Sequence, residues 1–187
     1  MTTDLDRSTL SGTYTIDPAH SRFGFVARHA MITKVRGAFN DFTGTLTVDA
    51  ETPERSSADI TIQATSVDTR NADRDAHLRS NDFFDMDTYP ELTFTATKVE
   101  PVGGEHFKVT GDLTVRGVTK PVTLELAYTG AVVDPWGFTR IGFDGQAEVN
   151  RKDWGLTWNA ALEAGGILVS EHVTIEVELS ATKNEEA

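Results

Sequence analysis

Residues 106–115 read HFKVTGDLTV, and the parity of this stretch decides the fold. Phe107, Val109, Gly111, Leu113 and Val115 fall on one side of an extended chain, and Lys108, Thr110, Asp112 and Thr114 on the other. Successive side chains of a strand point to opposite faces, so this alternation marks a strand with one dry and one wet face. The same period runs outward in both directions. Phe23, Phe25, Ala27 and His29 share a face in SRFGFVARHA, with Arg22 and Arg28 on the other. Ile60, Ile62 and Ala64 alternate with polar residues, as do Val122, Leu124 and Leu126, and then Ile141, Phe143, Gly145, Ala147 and Val149. HVTIEVELSA ends the pattern with Val173, Ile175, Val177 and Leu179. The Thr, Val, Ile and Phe content suits strands, and turn signals separate the runs, among them DPAH at 17–20, PVGGE at 101–105 and DPWG at 134–137.

The stretch KVRGAFNDFTGTLTVD, residues 34–49, would span roughly 50 Å if it were one straight strand, so it must bend, with Gly37 and Gly44 as the expected sites. Long, one-side-apolar antiparallel strands are satisfied by closing into a barrel, which also removes the edges. The expected fold is therefore all-β: a closed antiparallel barrel of about eight strands, lipocalin-like, with one or two short helices. ADRDAHLRSNDFFD breaks the alternation and predicts a helix capped by Asp73 or Asp75 and ending near Ser80. AALEAGG is a second, single-turn candidate ended by Gly165. Residues 1–12 and 183–187 are unpatterned and read as flexible tails around one domain, 13–182.

Composition narrows the function. Apolar residues at 39% and charged residues at 25% exclude disorder outside the ends. Lys and Arg number 17 against 29 Asp and Glu, and the net charge of −12 argues against nucleic acid and anionic surfaces as partners. With no cysteine, disulfides, thiol catalysis and thiolate metal sites are excluded. MTTDLDRSTLSGTY carries acids where a signal peptide carries bases, and no stretch approaches the roughly 18 apolar residues of a membrane span, so the expected location is the cytoplasm.

A barrel of this size is either filled by its own side chains or holds one small ligand. Small residues on the predicted inner face (Ala27, Ala64, Ala96, Gly111, Gly145, Ala147) favour a cavity, although they also suit a core in which they accommodate large neighbours. The expected lining is Phe23, Phe25, His29, Ile60 and Ile62 from the first half, and Phe94, Leu113, Ile141 and Phe143 from the second. Phe39 with Phe42, Phe83 with Phe84, and Trp154 with Trp158 lie near strand ends and are expected to lid a cavity mouth or else simply cover one open end of the barrel, with Leu78 pointing in from the helix.

The polar residues carry no catalytic pattern. His20, His29, His77, His106 and His172 lack HxH or HExxH spacing. His20 and Ser21 read as a turn pair. His29 shares the parity of Phe23 and Phe25, and is expected inside the barrel, bonded to a core carboxylate or to a ligand head group. NADRDAH begins like a calcium loop but has Ala76 at its sixth position and Asp82 at its twelfth, so no metal is expected. Asp75 and His77 are expected to anchor the helix. Arg151, Lys152 and Asp153 form either a surface turn with an ion pair or a basic rim at the mouth that receives a phosphate or carboxylate.

RDAHLRSNDFFDMDTYPELTF, residues 74–94, resembles the YceI family, the lipocalin-like polyisoprenoid-binding domains. The opening YTIDPAHSRFGFVARHAMITKVRGAF is similar to the family's start through Asp17, His20, Ser21, Phe25, His29, Gly37 and Phe39. The second half follows through GDLTVRGVTKPV, NRKDWGL and VSEHVTIEVEL, with Trp154 standing where Phe is common. The resemblance runs from about Gly12 to Thr182. It implies a closed barrel with a long internal pore, often dimeric, that binds isoprenoid chains, quinone tails or fatty-acid derivatives without catalysis or cofactor. Many relatives carry a signal peptide and work in the periplasm. The partner expected here is an isoprenoid or acyl-chain lipid, carried, stored or sequestered, with a homodimer as the assembly. The other readings are an enzyme on a lipid-like substrate, with His29 as acid or base, and a filled barrel with a structural or stress role.

Overall fold

A computed structural model describes residues 5–163 and 165–185. Eleven strands follow one another among the described residues. They are β1 (Gly12–Ile16), β2 (Arg22–His29), β3 (Thr33–Phe39), β4 (Phe42–Val48), β5 (Ser57–Gln63), β6 (Val67–Asp68), β7 (Glu91–Gly103), β8 (His106–Val115), β9 (Val118–Val133), β10 (Thr139–Asn150) and β11 (His172–Lys183). One α-helix, α1 (Ala72–Arg79), lies between β6 and β7. All pairings are antiparallel. The order β1-β4-β5-β7-β8-β9-β10-β11 closes on itself, because β1 also pairs with β11 through Tyr14↔Lys183, Thr15↔Thr182 and Ile16↔Ala181. Eight strands thus form a closed barrel, as the alternation predicts.

β2, β3 and β6 are an extension. Past the turn Pro18–His20, β2 takes over from β1 along the other half of β11, pairing Phe23 with Val177 and Phe25 with Ile175. β3 and β6 continue that sheet. The run 34–49 is therefore two strands broken at Asn40–Asp41, not one bent strand. Gly37 and Gly44 lie within strands, where the Phe25 ring and the Ile16 side chain cover them. Chain direction gives the barrel two distinct ends. The segments Arg7–Leu10, 49–56, 104–105 and 134–138 gather at one. The long connections 64–90 and 150–171 and the β2–β3 hairpin gather at the other.

The helix forms where expected but with a different cap. Asn71, not Asp73 or Asp75, accepts from the Arg74 N–H at 3.0 Å. Asp75 is buried and accepts from the Thr69 N–H at 2.8 Å and its hydroxyl at 2.6 Å, which ties the helix to the chain before it. His77 meets Asp82 at 2.8 Å. The second helix does not form. Ala161 pairs with Ile167 in an isolated bridge instead, and Ala164 lies outside the described residues. The expected tails are shorter as well. Residues 1–4 and 186–187 lie outside the described residues, while Arg7–Leu10 make a 3₁₀ turn with Leu10 buried, and Lys183 belongs to β11.

The small inward residues divide into two kinds. Ala27 and Ala96 face open space. Gly111 and Gly145 are filled by neighbours: a Cβ on Gly111 would stand 2.4 Å from the Phe94 ring and 2.6 Å from the Thr95 carbonyl oxygen, and one on Gly145 2.2 Å from Leu126. The backbone carbonyl beside Gly111 cannot rotate away. Gly111→Ala is accordingly expected to lose about 1–3 kcal/mol of stability, the usual penalty of overpacking, measurable as a lower denaturant midpoint at unchanged slope.

Candidate ligand cavity

The axis of the barrel is hollow. A cavity of about 370 Å³ runs between its two ends, within the range of small-molecule sites, and its wall is almost wholly apolar. Strand parity builds it. Leu46, Ile60, Phe94, Val109, Leu124 and Val177 each come from a different barrel strand and all face it. Two irregularities keep the apolar face inward on long strands. In β7 the register shifts between Ala96 and Lys98, so that Ala96 and Val99, three residues apart, both line the cavity. In β9 a shift opposite Gly142 and Phe143 leaves Thr129 unpaired.

Thirteen of the expected site residues line the cavity. Phe23, Phe25 and Phe39 do so from the β2–β3 wall, Ile60 and Ile62 from β5, and Phe94 and Leu113 from β7 and β8. Ile141 and Phe143 do so from β10, while Leu78, Phe83, Phe84 and Trp154 close the end formed by the long connections. The Phe39 ring lies 5.8 Å from Phe25 and 5.5 Å from Phe84, an aromatic chain that joins the wall to the plug. The Trp154 indole N–H donates to the Leu113 carbonyl at 2.9 Å, and Arg116 donates to the Phe83 carbonyl at 3.2 Å.

Three expected residues do not line it. Phe42 is buried behind the wall, edge-on to Phe23 at 4.7 Å. Trp158 is half-buried and covers the plug, 5.5 Å from Phe83 and 4.5 Å from His77. His29 is exposed, which overturns its assignment to the interior. Its parity is unbroken, but Ala27 is the last β2 residue on the cavity wall; His29 ends the strand, bridged to Val169, and lines a separate recess outside the cavity. The enzyme reading loses the acid or base it relied on.

The other correction concerns Arg151. It is neither a surface turn residue nor part of a rim at the mouth, but 6% exposed and on the cavity wall at the plugged end. Its Nε donates to Ser170 O at 2.8 Å, Nη1 to Leu156 O at 2.5 Å and Nη2 to Val169 O at 3.3 Å. These bonds use three of its five N–H groups and leave one on each terminal nitrogen. Burial lowers its pKa, partly offset by Glu171, whose own carboxylate is held low mainly by its hydrogen bond from Lys152. Sequence spacing gave no sign of this burial, because the burying segment, 156–170, has no alternation.

At the opposite end the cavity reaches the surface. Arg7, Asp49, Ser57 and Glu105 line it there, and Arg7 and Glu105 form an ion pair across the opening. Leu10 lies beneath them, held by the Tyr14 hydroxyl, which donates to its carbonyl at 2.7 Å. Beside the opening, Arg140 joins Asp17 at 2.6 Å to Asp134 at 3.3 Å. Among the described residues no cluster of three or more His, Asp or Glu could hold a metal, and no helix is long and apolar enough to cross a membrane.

Fold and site define a small closed β-barrel with an apolar bore, plugged at one end and latched at the other. The family model described as the YceI-like domain matches residues 14–181, and the chain belongs to that family. It is 43% identical to protein YceI of Shigella flexneri over 151 residues, 80% of this chain and 78% of that one. Among solved structures it is similar to BcnA of Burkholderia cenocepacia, at TM-score 0.79 and 27% identity over 89% of this chain and 99% of that one. A polyisoprenoid binding domain from Saccharophagus degradans shares the fold, at TM-score 0.69 and 18% identity over 91% of this chain and 98% of that one.

Tyr14 yields a test of the latch. Burial, and to a lesser extent Tyr128, pushes its hydroxyl up to about 12. An unfolded tyrosine ionises near pH 10, so above that pH the folded state binds more protons than the unfolded one, and stability falls as pH rises. Stability is fully present below about pH 10 and is expected to drop by about 2–3 kcal/mol by pH 12. Tyr14→Phe is expected to flatten that decline while losing about 1 kcal/mol at neutral pH with its hydrogen bond. Denaturant melts of both proteins between neutral pH and pH 12 check the two slopes.

Proposed function

We propose that this protein binds one long apolar chain in the barrel, an isoprenoid, a quinone tail or a fatty-acid derivative, for carriage, storage or sequestration. The observation that carries the reading is the cavity along the barrel axis, with apolar walls supplied by seven of the eight barrel strands. Each buried CH₂ of a guest contributes about 0.8 kcal/mol, so a long chain gains substantial affinity without a polar contact. The description of the Saccharophagus degradans domain as polyisoprenoid binding agrees with this. Selectivity comes from the plugged end, where the two remaining Arg151 N–H groups meet an oxygen acceptor on the guest. The charged groups on the wall, Arg7, Asp49, Glu105 and Arg151, stand at its two ends, so the chain lies among groups that cannot react with it.

Organic extraction of protein purified from its own host, with native mass spectrometry, is expected to yield a co-purifying apolar mass. Neither such a mass nor uptake of a fluorescent prenyl or acyl probe would overturn the reading in favour of a filled barrel, and conversion of the bound compound would favour an enzyme. Phe84→Ala then tests the plug. The side chain is half-buried, so the loss of stability is expected to fall below the about 3–5 kcal/mol of a fully buried Phe. Probe release from the folded variant is expected to accelerate. Unchanged release would make the segment a packing element rather than a wall of the pore.

A further inference from the structure

The acidic total of this protein hides a basic face. On the outward side of the β2–β3 hairpin, Arg28 lies directly opposite Lys34, and Arg36 follows on the same side of β3. Like charges facing each other across a ladder cost stability. Beside them, a recess of about 430 Å³ lies between β3 and the Thr69–Arg74 segment. His29, Lys34, Arg36, Arg70 and Arg74 line it, with no carboxylate on its walls. Thr69 fixes Arg74 there through bonds of 2.7 Å from Nε and Nη2.

None of Arg28, Lys34, Arg36, Arg70 and Arg74 forms an ion pair among the described residues. Of the acids beside this face, Asp68 interacts electrostatically with Arg70 without forming an ion pair. Asp75 is spent on Thr69, and Asp68, at the border, accepts from the Arg70 N–H and from Asn40. Arg22, further along the same face, is answered by Glu176 at 3.6 Å.

The tip of the same hairpin is apolar and bare. Met31 is 57% and Ile32 78% exposed. The turn places Ala30 at φ 52° and Met31 at φ 60°, closed by an Ile32 N–H to His29 carbonyl bond of 3.0 Å. Such a turn favours Asn-Gly, since side chains resist positive φ at both positions. Here Ala-Met occupies it; the Ala30 N–H donates to the Leu168 carbonyl at 2.7 Å, while the Met31 and Ile32 side chains remain mostly in water.

We propose that this hairpin docks on an anionic lipid membrane, Met31 and Ile32 entering the interface and the basic face lying against the head groups. Charge complementarity and an aliphatic tip together select that partner. A nucleic acid or an acidic protein would use the charges and leave the tip idle. The net charge of −12 does not oppose it at close range, because at physiological salt the field of distant acids is screened beyond about 8 Å. Each basic residue near an anionic bilayer multiplies affinity several-fold. The surface stands on its own charges and does not depend on what the cavity holds.

Co-sedimentation of the full chain with vesicles tests this, using equal parts phosphatidylcholine and phosphatidylglycerol against pure phosphatidylcholine. Binding is expected only to the mixed vesicles and is released by salt. Lys34→Glu with Arg36→Glu is expected to weaken it by roughly tenfold or more. Met31→Ser with Ile32→Ser weakens it several-fold while its salt dependence persists. Lys120→Glu, at an exposed lysine on β9, leaves it unchanged. All of these positions are exposed, so the variants keep the fold, which circular dichroism checks. No sedimentation with mixed vesicles, or an equal loss in Lys120→Glu, would overturn the proposal. So would affinity for polyglutamate or duplex DNA equal to that for vesicles and indifferent to Met31 and Ile32.

Discussion

The cavity depends on a three-residue seam. β1 joins β11 through the ladder pairs of Tyr14, Thr15 and Ile16, flanked by backbone bonds at Thr13 and Asp17, and this pairing turns an open sheet into a barrel with an interior. The seam is reinforced by what it buries: Tyr14 is fully buried and Ile16 nearly so. Where β1 ends, β2 takes over along β11, and Phe23 packs on Phe42 to carry the wall across to β4. Closure also fixes which side chains are inside, because a strand held on both edges cannot slip by one residue without turning its apolar face to water.

A hollow core persists here because its walls cannot collapse. Closed strands fix the radius, and the large wall residues already pack against each other rather than across the bore. Phe94 lies over Gly111, Phe25 over Gly37 and Leu126 over Gly145, so each glycine gives room to a neighbour in the wall. The two ends then do different work. The plugged end is bonded through backbone carbonyls and aromatic edges, a rigid arrangement. The other is held by the exposed Arg7–Glu105 ion pair, the Tyr14 hydroxyl on the Leu10 carbonyl, the Lys183 ammonium on the Thr9 carbonyl and the Ala50 N–H on the Ser11 hydroxyl, and an exposed ion pair holds weakly.

What could be read from the sequence followed from locality. Parity within a strand needs only neighbours, so Phe23, Phe25, Ile60, Ile62, Ile141 and Phe143 fell on the correct face. Parity does not say where a barrel stops, and His29 has the right phase one step beyond the last wall. Nor does it register bulges, which is why Val99 joins the face that Ala96 begins. Arg151 and Leu10 are each buried by a segment distant in sequence or lacking a period, which local alternation does not register. The basic face went unseen because net charge is a sum, and a sum carries no position.

If the bore holds the proposed guest, the buried guanidinium constrains it more than the apolar wall does. An apolar bore accepts any chain of suitable girth, since burial free energy is nearly proportional to area and indifferent to sequence of carbons. Arg151 is held by three carbonyls, and among the described residues its other two N–H groups meet no acceptor. A guest that ends in hydrocarbon would leave those donors facing carbon, a loss of about 1–3 kcal/mol relative to a bonded acceptor. A fully ionised head would match the charge but must shed its water first, and that desolvation costs far more than the transfer of a neutral oxygen. A neutral carbonyl or hydroxyl at the head of the chain meets both conditions, because it crosses the bore cheaply and still accepts from the guanidinium. On the proposed reading, the wall sets how much chain is bound, and a single side chain at the plugged end sets how the chain must terminate.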